Sequence, residues 1–474
     1  MRTSFFMARN IFPFLLLSLF IISCTSQQLV YKEPLKNEGE VLLYLQPMPK
    51  EAGRFFFTIE DASLVRDDDT AVPLPLSFNT INGPDHIGVQ KLLASGRVPH
   101  GAYKGVRITV ARAHLEGEEG RAELLVPEDS VSLNYLFQVY RGEVISLFMD
   151  YNPLKSVTDG IQFTPLFTLQ TYGNELLNLT GYITGSQSNM ISIFNKKTML
   201  MTGAIATGRS PSGIVFDQDR GKAYAALSGD DAIEVINIFT GKITGKIRLN
   251  SGDEPLYLCL SPDGSTLLSV NRGSNTVSII NTKARFEDTR LIVGEEPTSA
   301  VMDPAGLRAY IMNSMSHSIS VLDMSSKVVF ATIATEGVPL EGAFNRNGDT
   351  LYVINGDIPD LTVIDPSALS VTGKKFIGTG ARSLKVDTRT DLIYVGNRTG
   401  SQISVVSPSS SMFIDTIRTG GAVAYMTIDD EENTLFALIP DRKVLQKINL
   451  TNKKIIAELD AAQGAYAVAV MGER

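Results

Sequence analysis

Six carboxylates in one stretch of the sequence are the residues best suited to do chemistry. They are Asp253, Glu254, Glu295, Glu296, Glu336 and Glu341. Carboxylates gathered in one sector of a fold could hold a hard cation such as Ca²⁺ or attract a basic partner. The alternative is that they are solvated charges that keep an acidic protein soluble. Arg382, Tyr257 and Tyr425 complete this candidate ligand-binding rim.

The sequence shows no catalytic constellation. Its four histidines are His86, His100, His114 and His317. No two of these histidines have the sequence spacing of metal ligands. The sequence also contains no CxxCH haem site, no GxSxG elbow and no P-loop. Cys259 falls among apolar positions, so we interpret it as a small buried hydrophobic residue. We therefore predict no catalytic residue and no cofactor, apart from the Ca²⁺ considered for the rim.

Beyond Leu179 the sequence repeats at a spacing of 42 residues. A proline or a small residue opens each unit, at Pro211, Pro255, Pro297, Pro339, Ala381, Val423 and Ala465. The first interval is 44 residues and the other five are 42. Each unit contains four strand-like stretches separated by turns such as Ser261-Pro262-Asp263-Gly264. Four strands in about 40 to 45 residues are typical of a propeller blade, so the repeat predicts a seven-bladed β-propeller over residues 180–474.

The two ends of the repeat complement each other. Residues 182–207 hold the second to fourth strands of a unit without a first strand, whereas residues 465–471 form a first strand alone. Together they make one complete unit. The last strand is therefore predicted to join the beginning of the repeat and to close the ring.

The repeat resembles the YVTN-type β-propeller family. The resemblance is clearest in the unit that contains Asp303-Pro304-Ala305-Gly306, Ala309-Tyr310-Ile311-Met312-Asn313 and the strand that begins at Ser318. It covers roughly residues 180–472. It implies the propeller fold and says little about function, because that family includes surface proteins, enzyme domains and proteins of unknown role.

The N-terminus has the features of a secretion signal. Arg2 and Arg9 precede an apolar run over residues 11–22, which is shorter than the roughly 20 residues that span a membrane. Ile21-Ile22-Ser23-Cys24 resembles the bacterial lipobox. That resemblance implies cleavage after residue 23, lipidation of Cys24 and, since Thr25-Ser26 follow, attachment to the outer membrane. A plain signal peptide is the alternative, and the membrane face is left open.

The charge of the mature chain excludes one class of partner. Loss of Arg2 and Arg9 lowers the 43 basic residues to 41 against 51 acidic ones, a net charge of −10. Nucleic acid is therefore not expected as a partner, since binding it requires a basic surface. With Cys24 lipidated, Cys259 has no cysteine to pair with, so stability must come from the core.

Residues 38–168 lack the 42-residue period but have strand patterns. Examples are Val41-Leu42-Leu43-Tyr44-Leu45, Phe55-Phe56-Phe57-Thr58-Ile59 and Val106-Arg107-Ile108-Thr109-Val110, of which the last alternates apolar and polar residues. We predict a β-sandwich here, after a tether over residues 24–37 and before a linker over residues 169–179. Residues 98–107 and 148–157 resemble an uncharacterised domain family of bacterial lipoproteins, which implies no activity. A spacer that lifts the propeller off the membrane is the simplest role.

These observations leave two hypotheses of function. The first is a non-catalytic binding or scaffolding lipoprotein of the cell envelope, which uses the propeller face for a protein, peptide or glycan. The second is a propeller enzyme of the lactonase or dehydrogenase type, with a metal or cofactor at the central channel. The second requires convergent polar groups deep in the channel. At the second position after each opener the sequence offers only one carboxylate, Glu341, so we favour the first.

Overall fold

The computed structural model describes residues 32–117, 120–173, 177–461 and 463–473. The predicted signal peptide and Cys24 lie outside the described residues. Twelve strands form the N-terminal module (residues 38–170): β1 Glu38–Leu45, β2 Phe55–Arg66, β3 Ala71–Pro73, β4 Thr80–Asn82, β5 Lys91–Pro99, β6 Gly101–Gly117, β7 Gly120–Leu124, β8 Val131–Val139, β9 Val144–Asn152, β10 Val157–Thr158, β11 Gln162–Phe163 and β12 Leu166–Gln170. One turn of α-helix, α1, covers Gly83–His86, and short 3₁₀ turns cover Lys50–Arg54, Pro153–Lys155 and Leu177–Leu179. None of the described helices combines the length and apolarity needed to cross a bilayer.

Two sheets of the N-terminal module pack on a common core. One has the order β12-β9-β1-β5, and the other is built around β2 and β6, with β3, β4, β7 and β8 alongside. Val41 and Leu43 of the first sheet share this core with Phe57 and Ile108 of the second. The predicted alternation in β6 is confirmed, because Val106, Ile108 and Val110 are buried while the residues between them are half-exposed.

The residues from 180 onward form seven four-stranded antiparallel sheets. Their strands are β13 Thr180–Gly185, β14 Met190–Asn195, β15 Leu200–Ala206; β16 Pro211–Asp217, β17 Lys222–Leu227, β18 Ala232–Asn237, β19 Lys242–Arg248; β20 Pro255–Leu260, β21 Thr266–Asn271, β22 Thr276–Asn281, β23 Phe286–Ile292; β24 Pro297–Met302, β25 Arg308–Asn313, β26 Ser318–Asp323, β27 Val328–Ala334; β28 Pro339–Phe344, β29 Leu351–Asn355, β30 Asp360–Asp365, β31 Ser370–Phe376; β32 Ala381–Val386, β33 Ile393–Asn397, β34 Gln402–Val406, β35 Phe413–Arg418; β36 Tyr425–Asp429, β37 Thr434–Ile439, β38 Val444–Asn449, β39 Lys454–Asp460; and β40 Ala465–Val470. We call this part of the chain the ring (residues 180–470).

The first strands of these sheets contact one another in a closed cycle. β16 contacts β20, and the contacts continue through β24, β28, β32 and β36 to β40, which contacts β16 again. Such a cycle of inner strands is the arrangement of a β-propeller. The turns after the first strands depend on glycines in the left-handed region, as at Gly264 (φ 64°) and Gly306 (φ 68°).

A buried asparagine ends the second strand in four of the sheets. Its Nδ2 donates to a hydroxyl seven residues later, at 2.8 to 2.9 Å: the pairs are Asn271 with Ser278, Asn313 with Ser320, Asn355 with Thr362 and Asn397 with Ser404. A buried amide left without a partner costs about 1–3 kcal/mol. These bonds therefore help to hold the second and third strands in register.

The last strand completes the sheet that opens the ring. β40 pairs antiparallel with β13, with Gly181 opposite Val470 and Tyr182 opposite Ala469. This is the pairing that the repeat predicts. The hydroxyl of Thr184 accepts a 3.0 Å bond from the amide of Ala467 and donates a 2.7 Å bond to the carbonyl of Ser212. One side chain of β13 thus links the two neighbouring inner strands β40 and β16.

A buried ion pair secures the same closure. Lys196 Nζ lies 2.6 Å from Asp429 Oδ2, and both side chains are almost completely buried. Nζ also donates a 2.5 Å bond to the carbonyl of Met471, directly after β40. Because an unpaired charge in this position would be strongly destabilising, the pair fixes the end of the chain against the neighbouring sheet.

The N-terminal module shares an apolar core with the ring. Leu42, Tyr44 and Phe148 pack together with Phe194 and Met201 of the sheet closed by β40. The side-chain amide of Gln90 bonds both backbone groups of Met201, at 2.7 Å to the amide and 3.1 Å to the carbonyl. A spacer needs no such core, so the module also buries one flank of the ring.

Removal of residues 465–474 should unfold the ring and not merely fray its end. The deletion exposes the edge of β13 and leaves Lys196 without the Met471 carbonyl. We expect loss of the cooperative thermal transition, measured by circular dichroism and calorimetry. Removal of residue 474 alone is the matched control and should leave the transition unchanged. A normal melting temperature for the longer deletion would contradict the closure.

Candidate functional site

The inner strands of the ring surround a channel with two different mouths. The loops that enter the first strands form one mouth, which we call the opener face. The turns that leave the first strands form the other, which we call the turn face. A cavity of about 800 Å³ occupies the channel and is lined on its outer side by turn residues such as Asp217 and Ser261, so it opens on the turn face.

The predicted rim residues divide between the opener face and the channel wall. Asp253, Glu254, Glu295, Glu296 and Glu336 lie in loops of the opener face, and Arg382 lies near the start of β32 on the same side. Tyr257, Glu341 and Tyr425 lie within inner strands. The structure therefore does not gather the whole predicted set at one mouth.

Basic partners already neutralise part of the acidic rim. Asp253 is only 1% exposed and forms a bidentate pair with Arg290, at 2.6 and 2.7 Å. Burial alone would raise the pKa of Asp253, but the hydrogen bonds from Arg290 and its neighbours hold it below the ordinary value. Glu254 lies 3.7 Å from Arg272, and Glu336 pairs with Lys374. Glu295 and Glu296 have no basic partner among the described residues.

The second part of the predicted set lies around a lysine inside the channel. Glu341 is 7% exposed; its Oε2 accepts a 2.8 Å bond from the amide of Leu384, and its Oε1 lies 3.5 Å from Lys385 Nζ. The ammonium also lies 5.8 Å from the ring centre of Tyr425. Burial alone would lower the pKa of Lys385, but the attraction of Glu341 and of the nearby tyrosines raises it well above the usual range. Lys385 is therefore a cation.

Two tyrosines and one cysteine of the inner strands are neutral near pH 7. Burial raises the pKa of both Tyr257 and Tyr425, so both keep their hydroxyl protons. Burial likewise raises the pKa of Cys259 to about 11, so this side chain remains a thiol. These groups can donate hydrogen bonds or pack against a ligand, but they are not activated as bases or nucleophiles.

The C-terminal tail forms part of the cavity wall. Gln218 holds it: Gln218 Nε2 donates a 2.6 Å bond to the carbonyl of Glu473, and the amide of Gly472 donates a 3.1 Å bond to Gln218 Oε1. Burial raises the pKa of the Glu473 carboxyl, whereas the attraction of Lys385 opposes that change. The Glu473 side chain therefore lies within electrostatic range of Lys385.

Sequence reasoning missed Lys385, although the repeat contains the signal for it. The fourth position after each opener is Val215, Cys259, Val301, Ala343, Lys385, Thr427 and Ala469. Lys385 is the one charged residue in this column. Glu473 has no comparable signal, because it follows the last strand of the repeat and its position depends on the folded tail.

The cavity is lined by the ammonium of Lys385, the hydroxyl of Tyr257, an apolar wall and the charged side chains of Asp217, Asp219, Arg220, Glu431 and Glu473. Glu341 and Tyr425 lie beside Lys385. This combination suits a small polar ligand, held by hydrogen bonds and by contact with aromatic rings. No group of three or more His, Cys, Asp or Glu side chains within the described ranges is arranged to hold a metal ion.

Comparison with known proteins supports the fold class. No family model matches the sequence, and no curated protein matches it either. Three solved structures are similar in fold. Hydrazine synthase from Kuenenia stuttgartiensis has a TM-score of 0.51 at 16% identity, over 54% of this chain and 88% of that chain. The dihydro-heme d1 dehydrogenase NirN has a TM-score of 0.51 at 13% identity, over 64% and 77%. A 6-phosphogluconolactonase-like protein from Bacteroides uniformis has a TM-score of 0.53 at 16% identity, over 62% and 99%.

At these identities the similarity shows the fold alone. The protein is an all-β, propeller-like protein, and proteins with this fold include enzymes as well as proteins of unknown function.

Calcium at the rim stays a prediction, and the ion pairs above leave Glu295 and Glu296 as the rim carboxylates in loops that have no basic partner among the described residues. A bound ion would stabilise the folded state in proportion to the logarithm of its concentration, so millimolar Ca²⁺ should raise the melting temperature and chelation should lower it. A Glu295→Gln, Glu296→Gln double variant should lose this response. A melting temperature that changes with neither calcium nor chelator would exclude a calcium site at the rim.

Proposed function

We propose that this chain is a bacterial envelope lipoprotein that binds a ligand without catalysing a reaction. In this proposal a β-sandwich precedes a seven-bladed β-propeller, Cys24 carries the lipid anchor, and the protein resides at the outer membrane. The observation that carries the binding function is the channel cavity around Lys385 and Glu341. A protein, peptide or glycan presented in the envelope would enter from the turn face.

The protonation states of Lys385, Tyr257, Tyr425 and Cys259 favour binding over catalysis. A general acid or base works best when its pKa lies near the operating pH. The pKa values of Lys385, Tyr257, Tyr425 and Cys259 are instead all raised, which leaves a fixed cation and three protonated neutral groups at pH 7. Fixed donors of this kind suit recognition of a ligand.

The alternative is a propeller enzyme of the lactonase or dehydrogenase type. Convergent polar groups do lie in the channel, and the fold neighbours include a dehydrogenase and a lactonase-like protein. Such an enzyme would require a metal, a cofactor or a group with a pKa near neutrality. Turnover of a lactone, lost in Glu341→Gln, would favour this alternative.

The lipid anchor is tested by replacing Cys24. Cys24→Ala removes the acceptor for the acyl chains, and several acyl chains are what make such attachment effectively permanent. We expect the variant to leave the membrane fraction for the soluble fraction, as measured by immunoblotting after fractionation. Cys259→Ala is the matched control and should stay with the membranes. Continued retention of Cys24→Ala would favour an uncleaved anchor.

The channel is tested by filling it. Ala343 lines the cavity, so Ala343→Trp should occupy the ligand space while leaving Lys385 and Glu341 in place. Ala305→Trp places the same side chain on an exposed turn outside the channel and is the control. A thermal-shift screen of sugars, muropeptides and short peptides should find ligands that stabilise the unmodified protein and Ala305→Trp, but not Ala343→Trp. Ligands that stabilise all three alike would place binding elsewhere.

A further inference from the structure

We propose that the ligand of the channel carries a single carboxylate that pairs with Lys385, and that the carboxylate of Glu473 weakens this binding. The inference rests on the proposed function, since it names the chemical class of ligand for the same cavity. It depends on the free hydrogen-bond donors of the Lys385 ammonium, on the charges around Lys385 and on the residues that line the cavity beside it.

Lys385 has binding capacity that the protein does not use. Its Nζ lies 3.5 Å from Glu341 Oε1, whereas a charge-assisted N–H···O bond is about 2.7–2.9 Å long. The described residues place no second carboxylate within 4 Å of Nζ. An ammonium has three donors, so at least two remain for a ligand. The Lys385 side chain is 21% exposed and lines the cavity.

Glu341 cannot turn fully toward the lysine. Its other oxygen, Oε2, accepts the 2.8 Å bond from the backbone amide of Leu384. That bond fixes the carboxylate to the strand that carries Lys385. The ion pair therefore stays long, and a carboxylate that enters from the cavity can approach Nζ more closely than Glu341 does.

The charges around Lys385 favour a monoanion. Glu341 offsets the charge of Lys385, and Glu473 adds a second carboxyl group to the lining of the same cavity. Like charges at short distance repel, so a doubly charged phosphate would be opposed more strongly than a carboxylate. Phosphate sites also depend on several donors, commonly from arginine, whereas the cavity has one arginine, Arg220, which is already paired with Asp217 at 3.3 Å.

The wall beside Lys385 would contact the body of such a ligand. Tyr257 and Phe344 supply aromatic surface to the cavity, Val301 and Ala343 add apolar surface, and the ring of Tyr425 lies 5.8 Å from Lys385 Nζ. Aromatic faces with a few fixed polar groups are typical of sites for ring-shaped ligands. A ring with one carboxylate, such as a uronic acid or an aromatic acid, has the required chemistry.

The test compares acids with neutral molecules of the same shape. Glucuronate and benzoate are titrated by calorimetry into the purified full-length chain, with glucose, benzyl alcohol and inorganic phosphate as comparisons. We expect at least one acid to bind at millimolar concentration or below, and neither neutral molecule to do so. Lys385→Met should weaken the acid about tenfold or more, since hydrogen bonds to charged groups contribute this much.

Three further variants separate charge from folding. Lys385→Arg keeps the cation and should retain binding within a few-fold, which shows that Lys385→Met did not act through misfolding. Lys374→Met removes a lysine from the opener face and should leave affinity unchanged. Glu473→Gln removes the tail charge and should tighten the acid about threefold or more, because a nearby like charge is lost.

Several results would overturn the proposal. They are equal binding of glucose and glucuronate, binding of phosphate alone, no binding of either acid, or full affinity in Lys385→Met. An unchanged affinity in Glu473→Gln would show that Glu473 does not weaken binding of the acid. If a neutral ligand binds and only Ala343→Trp abolishes its binding, the channel remains the binding site, but the proposal that the ligand carries a carboxylate is wrong. If no ligand is sensitive to Ala343→Trp, the proposed function itself fails.

Discussion

The pairing of β40 with β13 is the contact on which the rest of the structure depends. It joins two segments almost 300 residues apart in the chain and converts a row of sheets into a closed cycle of inner strands. Without it, β13 would present an unpaired edge, and the Lys196 and Asp429 side chains would lose the tail that covers them. A buried charge that loses its partners is strongly destabilising, so the contacts of Lys196 with Asp429 and with the Met471 carbonyl maintain this closure together with the backbone hydrogen bonds.

The candidate site is a consequence of that closure. Tyr257, Glu341, Lys385 and Tyr425 come from four different sheets and meet only because the inner strands surround one channel. Partial exclusion of water strengthens the attraction between Lys385 and Glu341 and keeps the tyrosines protonated. The same tail that ends β40 brings Glu473 to the cavity, so ring closure and the electrostatics of the site depend on one segment.

The N-terminal module shows that a local sequence pattern can reflect contacts of the tertiary structure. Residues 41–45 of β1 are a continuous apolar run, and such runs are typical of strands buried on both faces. In the structure Val41 and Leu43 face the core of the module, whereas Leu42 and Tyr44 face the ring. The pattern indicated a strand with no exposed face, but which partner covers the second face depends on a distant sheet.

The sequence by itself determined the strands, the turns between them and the pairing of the two ends. These features follow from local apolar alternation and from the 42-residue repeat, in which each unit can be aligned with the others. Residues 465–471, for example, were predicted to form a lone first strand, and β40 covers Ala465–Val470 in the structure. The acidic rim could be located on the opener face for the same reason. Only the tertiary structure decided that Arg290 neutralises Asp253, that Glu341 faces inward to Lys385, and that Glu473 reaches the channel. These are contacts between side chains of different sheets or of the C-terminal tail. No periodicity along the chain specifies which of these side chains contact each other.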